Sequence, residues 1–226
     1  MSKSRSINDF VFIDYEFTGD RITEAGIIAD GREYHFKIKE NANFNNYAET
    51  GCLIITEAML AQTLILFCIG KVVAHYGGHE PELTEILISK HINSMRKDCR
   101  FIYGNLQNEV AYKYDLNALP SLTDLNRYMG NKPFKAHNAL EDARALKECA
   151  IKFKNYSKHY KPIVRKAFYM DKMRRAFDEI TKAGYDFVEF AKELQDSLTT
   201  EEEIKDVVNC EEVGGEAQQE EALPGA

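Results

Sequence analysis

An α/β fold, a mixed five-stranded sheet flanked by helices, is what this sequence predicts, and two observations carry that expectation. Three segments rich in β-branched and aromatic residues crowd into the first 38 positions, with connections too short for anything but antiparallel pairing. Beyond residue 50, segments of helical length alternate with short apolar runs, the order expected of an α/β chain.

The elements follow in chain order. Phe10-Val11-Phe12-Ile13-Asp14-Tyr15-Glu16-Phe17 reads as a strand closed by a turn at Thr18-Gly19. Ile22 to Ala29 is a second strand, ended by Asp30-Gly31. Glu33 to Ile38 alternates Tyr34, Phe36 and Ile38 and is a third. Glu40 to Thr50, with four asparagines, reads as a loop. Thr56 to Ile69 has helical length, with Thr56 as its cap. Lys71 to His75 is a short buried strand, and Glu80 to Ile92 a helix with Leu83, Ile86 and Leu87 at helical spacing. Arg100 to Tyr103 is the fifth strand. Ser121 caps a helix that runs to Tyr128 and stops at Gly130. Asn138 to Phe153 is a longer helix with Leu140, Ala143, Leu146 and Ala150 on one face. From Asn155 the pattern stays helical to about Leu198, with Gly184 dividing Lys161–Ala183 from Tyr185–Leu198. The organisation expected is a domain over 1–155, a helical extension over 156–198 and an acidic, disordered tail over 199–226.

Composition narrows the function classes. The chain has 226 residues, 44% of them hydrophobic and 29% charged, enough for a core without covalent staples. Its five cysteines are scattered and form no C-x-x-C pair, which argues against a zinc ribbon or a disulfide framework and for reduced thiols in a cytoplasmic setting. The N-terminal stretch has no apolar signal core, and the longest apolar run, Leu64 to Ile69, is far too short for a membrane span. The net charge is −7, yet its distribution is uneven. Residues 201–226 hold nine acids and one lysine, whereas 151–200 hold eleven bases and seven acids. The acidic balance therefore leaves a polyanionic substrate open.

Three constellations carry chemistry. Residues i and i+2 of a strand share a face, so Asp14 and Glu16 present paired carboxylates at the end of an apolar strand. Such a pair repels itself unless a cation lies between, and hard oxygen donors suit Mg²⁺ or Mn²⁺. His137-Asn-Ala-Leu-Glu-Asp142 puts a histidine just before a helix and an acid in its first turns, where both can face one ligand. Val72-Val-Ala-His-Tyr-Gly-Gly-His-Glu80 runs a short strand through a glycine turn to an acid at a helix start, with Glu82 as a competing acid. Taken singly, each has an ordinary structural explanation: surface acids, a helix-start carboxylate, or a turn.

In their order and spacing the three resemble the DnaQ-like (DEDDh) 3′→5′ exonuclease superfamily, which has a ribonuclease H-like fold. Phe12-Ile-Asp-Tyr-Glu-Phe-Thr-Gly19 is similar to its I-D-x-E-x-T-G motif, and Val73-Ala-His-Tyr-Gly-Gly-His-Glu80 to V-A-H-N-x-x-F-D, with Glu80 where the family usually has Asp. Ser121-Leu-Thr-Asp-Leu and Ala136-His-Asn-Ala-Leu-Glu-Asp-Ala143 resemble S-L-x-x-L and H-x-A-L-x-D-A. The resemblance covers about residues 8–153.

The resemblance implies a two-metal hydrolase that releases nucleoside 5′-monophosphates from the 3′ end of single-stranded DNA or RNA. Asp14, Glu16, Glu80 and Asp142 would be the metal ligands for two Mg²⁺ or Mn²⁺ ions, and His137 the general base. Phe17, Thr18 and Tyr76 are the substrate-binding candidates, the aromatic rings as stacking faces for a terminal base. Lys158, Lys161, Arg165, Lys166, Arg174 and Arg175 could track phosphates, although a solvated helix face explains them as well. The competing expectation is a catalytically weak or inactive relative that occupies nucleic-acid ends or a protein partner without cutting.

Overall fold

A computed structural model of the protein describes residues 6–41, 51–92 and 101–184, together with 189 and 192. The chain divides into two compact units, Met1–Met170 and Asp171–Ala226. The expected helix over Tyr185–Leu198 falls almost wholly, and the acidic tail over 199–226 wholly, outside the described residues.

The first unit holds a six-stranded mixed sheet flanked by helices. Strands β1 (Phe10–Thr18), β2 (Arg21–Ala29) and β3 (Arg32–Ile38) form the expected antiparallel meander. Strands β4 (Leu53–Ile55), β5 (Val72–His75) and β6 (Ile102–Asn105) then join in parallel, giving the order β4-β3-β2-β1-β5-β6. The expected count of five strands is corrected to six. The additional strand, β4, is only three residues long, and its pairing with β3 supplies what its own sequence pattern lacks.

Helices α1 (Glu57–Cys68), α2 (Glu80–His91), α3 (Leu106–Tyr114), α4 (Leu122–Tyr128) and α5 (Ala139–Lys182) complete the order. Helix α1 starts where expected because the Thr56 side chain accepts the Met59 N–H, and Ser121 does the same for Asp124 at α4. Helix α3 was not expected. It follows β6 without a turn, since Asn105 both ends the strand and caps the helix by accepting the Asn108 N–H. Helix α5 runs through the point where two helices were expected, bending at Tyr156, whose φ of −135° and ψ of 31° are not helical. Gly184, at φ +80°, follows its end as a glycine after a helix should.

The period-2 alternation of β1 sorts its side chains between two cores. Val11, Ile13 and Tyr15 pack with Leu60, Leu64, Leu83 and Leu87 of α1 and α2. Phe12 packs with Ala74, Val110, Leu125 and Leu146 on the face covered by α3, α4 and α5. Asp14 and Glu16 continue this second face. No helix of the described residues is long and apolar enough to cross a membrane.

Candidate metal-binding site

Strand β1 delivers the first two carboxylates, and strand β2 decides how closely a third can approach. Asp14 is paired with Gly26 and Glu16 with Glu24. Past this point the ladder slips by one residue, a bulge at Thr23 whose hydroxyl donates to the Glu16 carbonyl. Gly26 has no side chain, and the start of α5 lies directly on it. A Cβ there would stand 2.1 Å from the Ala139 carbonyl oxygen. This close approach brings Asp142 down onto β1. One carboxylate oxygen from each of Asp14, Glu16 and Asp142 lies within 4.8 Å of the others.

The entry to α5 aims the third acid. The Asn138 side chain accepts the Glu141 N–H, and the Asn138 N–H donates to Asp142 Oδ2 at 3.0 Å. His137 has a left-handed backbone, φ +63°, an uncommon conformation for a residue with a side chain. It is exposed, and its positive form favours ionisation of both Glu16 and Asp142.

The fourth expected acid arrives from the other side of the sheet. The Tyr15 hydroxyl is 3.0 Å from Thr84 Oγ1, which donates to the Glu80 carbonyl at 2.7 Å, so the first turn of α2 is fastened to β1. The Glu80 side chain is buried, with Oε2 3.3 Å from Nδ1 of the equally buried His75. Neither atom makes a well-formed hydrogen bond. Glu80 stands outside the group of three, yet its charge acts on Asp14. Glu82 is exposed, so of the two competing acids Glu80 is the one turned inward.

The electrostatics are those of crowded anions. Burial, and then the charges of Asp142, Glu80, Glu16 and Glu24, push the Asp14 carboxyl well above its ordinary value. Burial and Asp142 push Glu16 up. Burial raises Asp142 too, against the opposing backbone N–H groups of Asn138 and His137 and the His137 charge. Glu24, a fifth acid beside the group, behaves differently. Burial works against its ionised form, but the hydrogen bond and charge of His35, the Ala139 N–H and the Lys37 charge outweigh it and hold the carboxyl below its ordinary value.

The substrate-binding candidates separate. Phe17 is 38% exposed, with its ring 5.2 Å from that of His79. Thr18 is exposed at the end of β1. Tyr76 is buried among core residues, and its hydroxyl donates to the Pro120 carbonyl at 2.7 Å, so its ring offers no surface face for stacking. Of the basic set, Arg165 pairs with Asp115 and Arg174 with Asp171. An apolar cavity of about 380 Å³, lined by Phe10, Phe12, Ala74, Leu106 and Phe153, lies toward the opposite end of β1 and includes none of the four acids.

Glu24 and Gly26 escaped sequence reasoning. A glycine inside a strand is the one local signal, since it marks either a bulge or a close backbone approach. Searches against protein-family models and against curated proteins find no match.

Proposed function

We propose that the protein is a metal-dependent 3′→5′ exonuclease of the DnaQ-like kind, on a ribonuclease H-like variant of its mixed α/β sheet. Its substrate is the 3′ end of single-stranded DNA or RNA, and its products are nucleoside 5′-monophosphates. One observation carries the reading: three carboxylates from β1 and α5, those of Asp14, Glu16 and Asp142, converge within 4.8 Å of one another.

The donor set fits divalent cations. All three groups are hard oxygen ligands, and burial, followed by the charges of the neighbouring acids, disfavours the ionised form of Asp14, which a bound cation would relieve. Asp14, Glu16 and Asp142 would hold the cations, with Glu80 supplying a fourth carboxylate from α2. Cations bound there supply the positive charge that offsets a phosphodiester's own and make a water molecule easier to deprotonate. His137, exposed just before α5, accepts the proton of the attacking water. Phe17, exposed on the same strand end, offers its ring to the terminal base.

A second reading, a relative that binds nucleic-acid ends without cutting them, draws on the Glu80 side chain. It lies outside the group of three and turns an oxygen toward His75. Labelled single-stranded DNA and RNA oligomers incubated with Mg²⁺, Mn²⁺ or EDTA separate the two. Mononucleotide release that depends on the cation supports the exonuclease, and retention of intact oligomer supports the second reading.

A further inference from the structure

Helix starts leave their first N–H groups without intrahelical partners. At α5 these groups are assigned with care, because the segment carries both His137 and Asp142. The Asn138 N–H goes to Asp142 and the Glu141 N–H to Asn138, both within the segment. The Ala139 N–H goes elsewhere: it crosses to β2 and donates to Glu24 Oε1 at 3.1 Å. The same oxygen is 2.7 Å from His35 Nε2 of β3, and the two side chains are 14% and 11% exposed. Glu24 and Gly26 are i and i+2 on one face of β2, so one holds the Ala139 N–H while the other admits the Ala139 carbonyl. Their partners across the ladder are Glu16 and Asp14.

We propose that Glu24 is a positioning residue: held by His35, it clamps the first residue of α5 to β2 and so sets Asp142 and His137 against Asp14 and Glu16. The proposal rests on the reading of the acids as a metal site, but the clamp itself is a hydrogen bond that exists without any metal. A fifth carboxylate next to a repulsive group is a liability unless it serves another purpose. Here its charge faces a histidine and the positive end of a helix. Its task needs an acceptor oxygen rather than a charge, which is what separates a clamp from a metal ligand.

The test uses the full chain without metal and then with Mn²⁺. Amide hydrogen exchange at Ala139 is read in the wild type, Glu24→Ala and Glu24→Gln, with folding checked by circular dichroism. The wild-type Ala139 amide is expected to be protected although it lies in a first turn. Glu24→Ala should speed its exchange by about 10–100-fold, the worth of a hydrogen bond to a charged acceptor. Glu24→Gln keeps an acceptor oxygen and should retain most of the protection. Mn²⁺ affinity should fall in the same order, by about 10–100-fold for the alanine variant, as when a partner that orients a ligand is lost. A wild-type Ala139 amide that exchanges freely, or one equally protected in Glu24→Ala, overturns the clamp. Equal loss of Mn²⁺ affinity in both variants, with the amide still protected in Glu24→Gln, also overturns it and makes Glu24 a ligand. A wild type that binds no Mn²⁺ but shows the expected exchange pattern overturns the metal reading and leaves the clamp standing.

Discussion

Gly26→Ala is the smallest change that should dismantle the site from a distance. The strand backbone at Gly26 has no positive φ, so alanine is conformationally acceptable and the effect is purely steric. A Cβ would meet Ala139 O at 2.1 Å, Ala139 C at 2.3 Å and Leu140 N at 2.5 Å, where ordinary contact begins at 3.4 Å. All three are backbone atoms, so no side chain can swing aside, and the start of α5 must retreat by more than about 1 Å. Overpacking of this kind costs about 1–3 kcal/mol, and the stretched Glu24–Ala139 bond adds about 1.5–3 kcal/mol. At about 2–4 °C per kcal/mol for a chain of this size, Tm should fall by roughly 10 °C. The retreat also carries Asp142 away from Asp14 and Glu16, so Mn²⁺ affinity should drop by about 10–100-fold. Gly104→Ala is the control, because its Cβ would meet only the Val72 side chain, at 3.2 Å. Thermal unfolding and Mn²⁺ titration of both variants decide the matter. Gly26→Ala with wild-type Tm and wild-type Mn²⁺ affinity would refute the close approach and the account of how Asp142 is placed.

Other consequences follow from the charges and the core. Asp14→Asn should raise the Tm of the metal-free protein at neutral pH, because it removes a carboxyl whose ionised form burial and then the neighbouring acids disfavour. Folded carboxyls raised above their unfolded values contribute stability that is present below about pH 4 and lost as pH rises through the raised values. The metal-free wild type should therefore lose stability relative to Asp14→Asn with rising pH, a difference that Tm measured against pH reads directly. Glu57 has the opposite sign. Burial opposes its charge, but bonds from Lys90, Asn41 and His91 bring its carboxyl down to about 2. Glu57→Gln should cost on the order of 2 kcal/mol at neutral pH, allowing for the exposure of Lys90, and the cost should fade as pH falls from 4.5 toward 2. Tyr76→Phe should cost about 1 kcal/mol or less in denaturant unfolding, since Gln107 still donates to the Pro120 carbonyl.

The β1 acids were legible because strand alternation is a local rule, and Asp14 and Glu16 obey it. The starts of α1, α2 and α4 were legible for a similar reason, from Thr56, Glu80-Pro81 and Ser121. Strand β4 was hidden because Leu53–Ile55 is too short to show a period, and only pairing with β3 makes it a strand. Helix α3 was hidden because it is only nine residues long and no turn separates it from β6. Tyr76 was a stacking candidate because it is an aromatic next to His75 in the same motif as Glu80, whereas Pro120, distant in sequence, captures its hydroxyl. Glu24 shows the limit most sharply. Its partners are His35, on the next strand, and Ala139, 115 residues away, and no pattern within β2 announces either.

The most direct test of the central claim is the release of mononucleotides from a 3′-end-labelled single-stranded oligomer, followed for the wild type and Asp14→Asn in Mg²⁺, Mn²⁺ and EDTA. The account predicts stepwise release from the 3′ end by the wild type in either cation. It predicts none in EDTA, and none from Asp14→Asn even though that variant is folded and melts no lower. Release at the wild-type rate in EDTA or from Asp14→Asn would contradict it, as would internal fragments in place of mononucleotides.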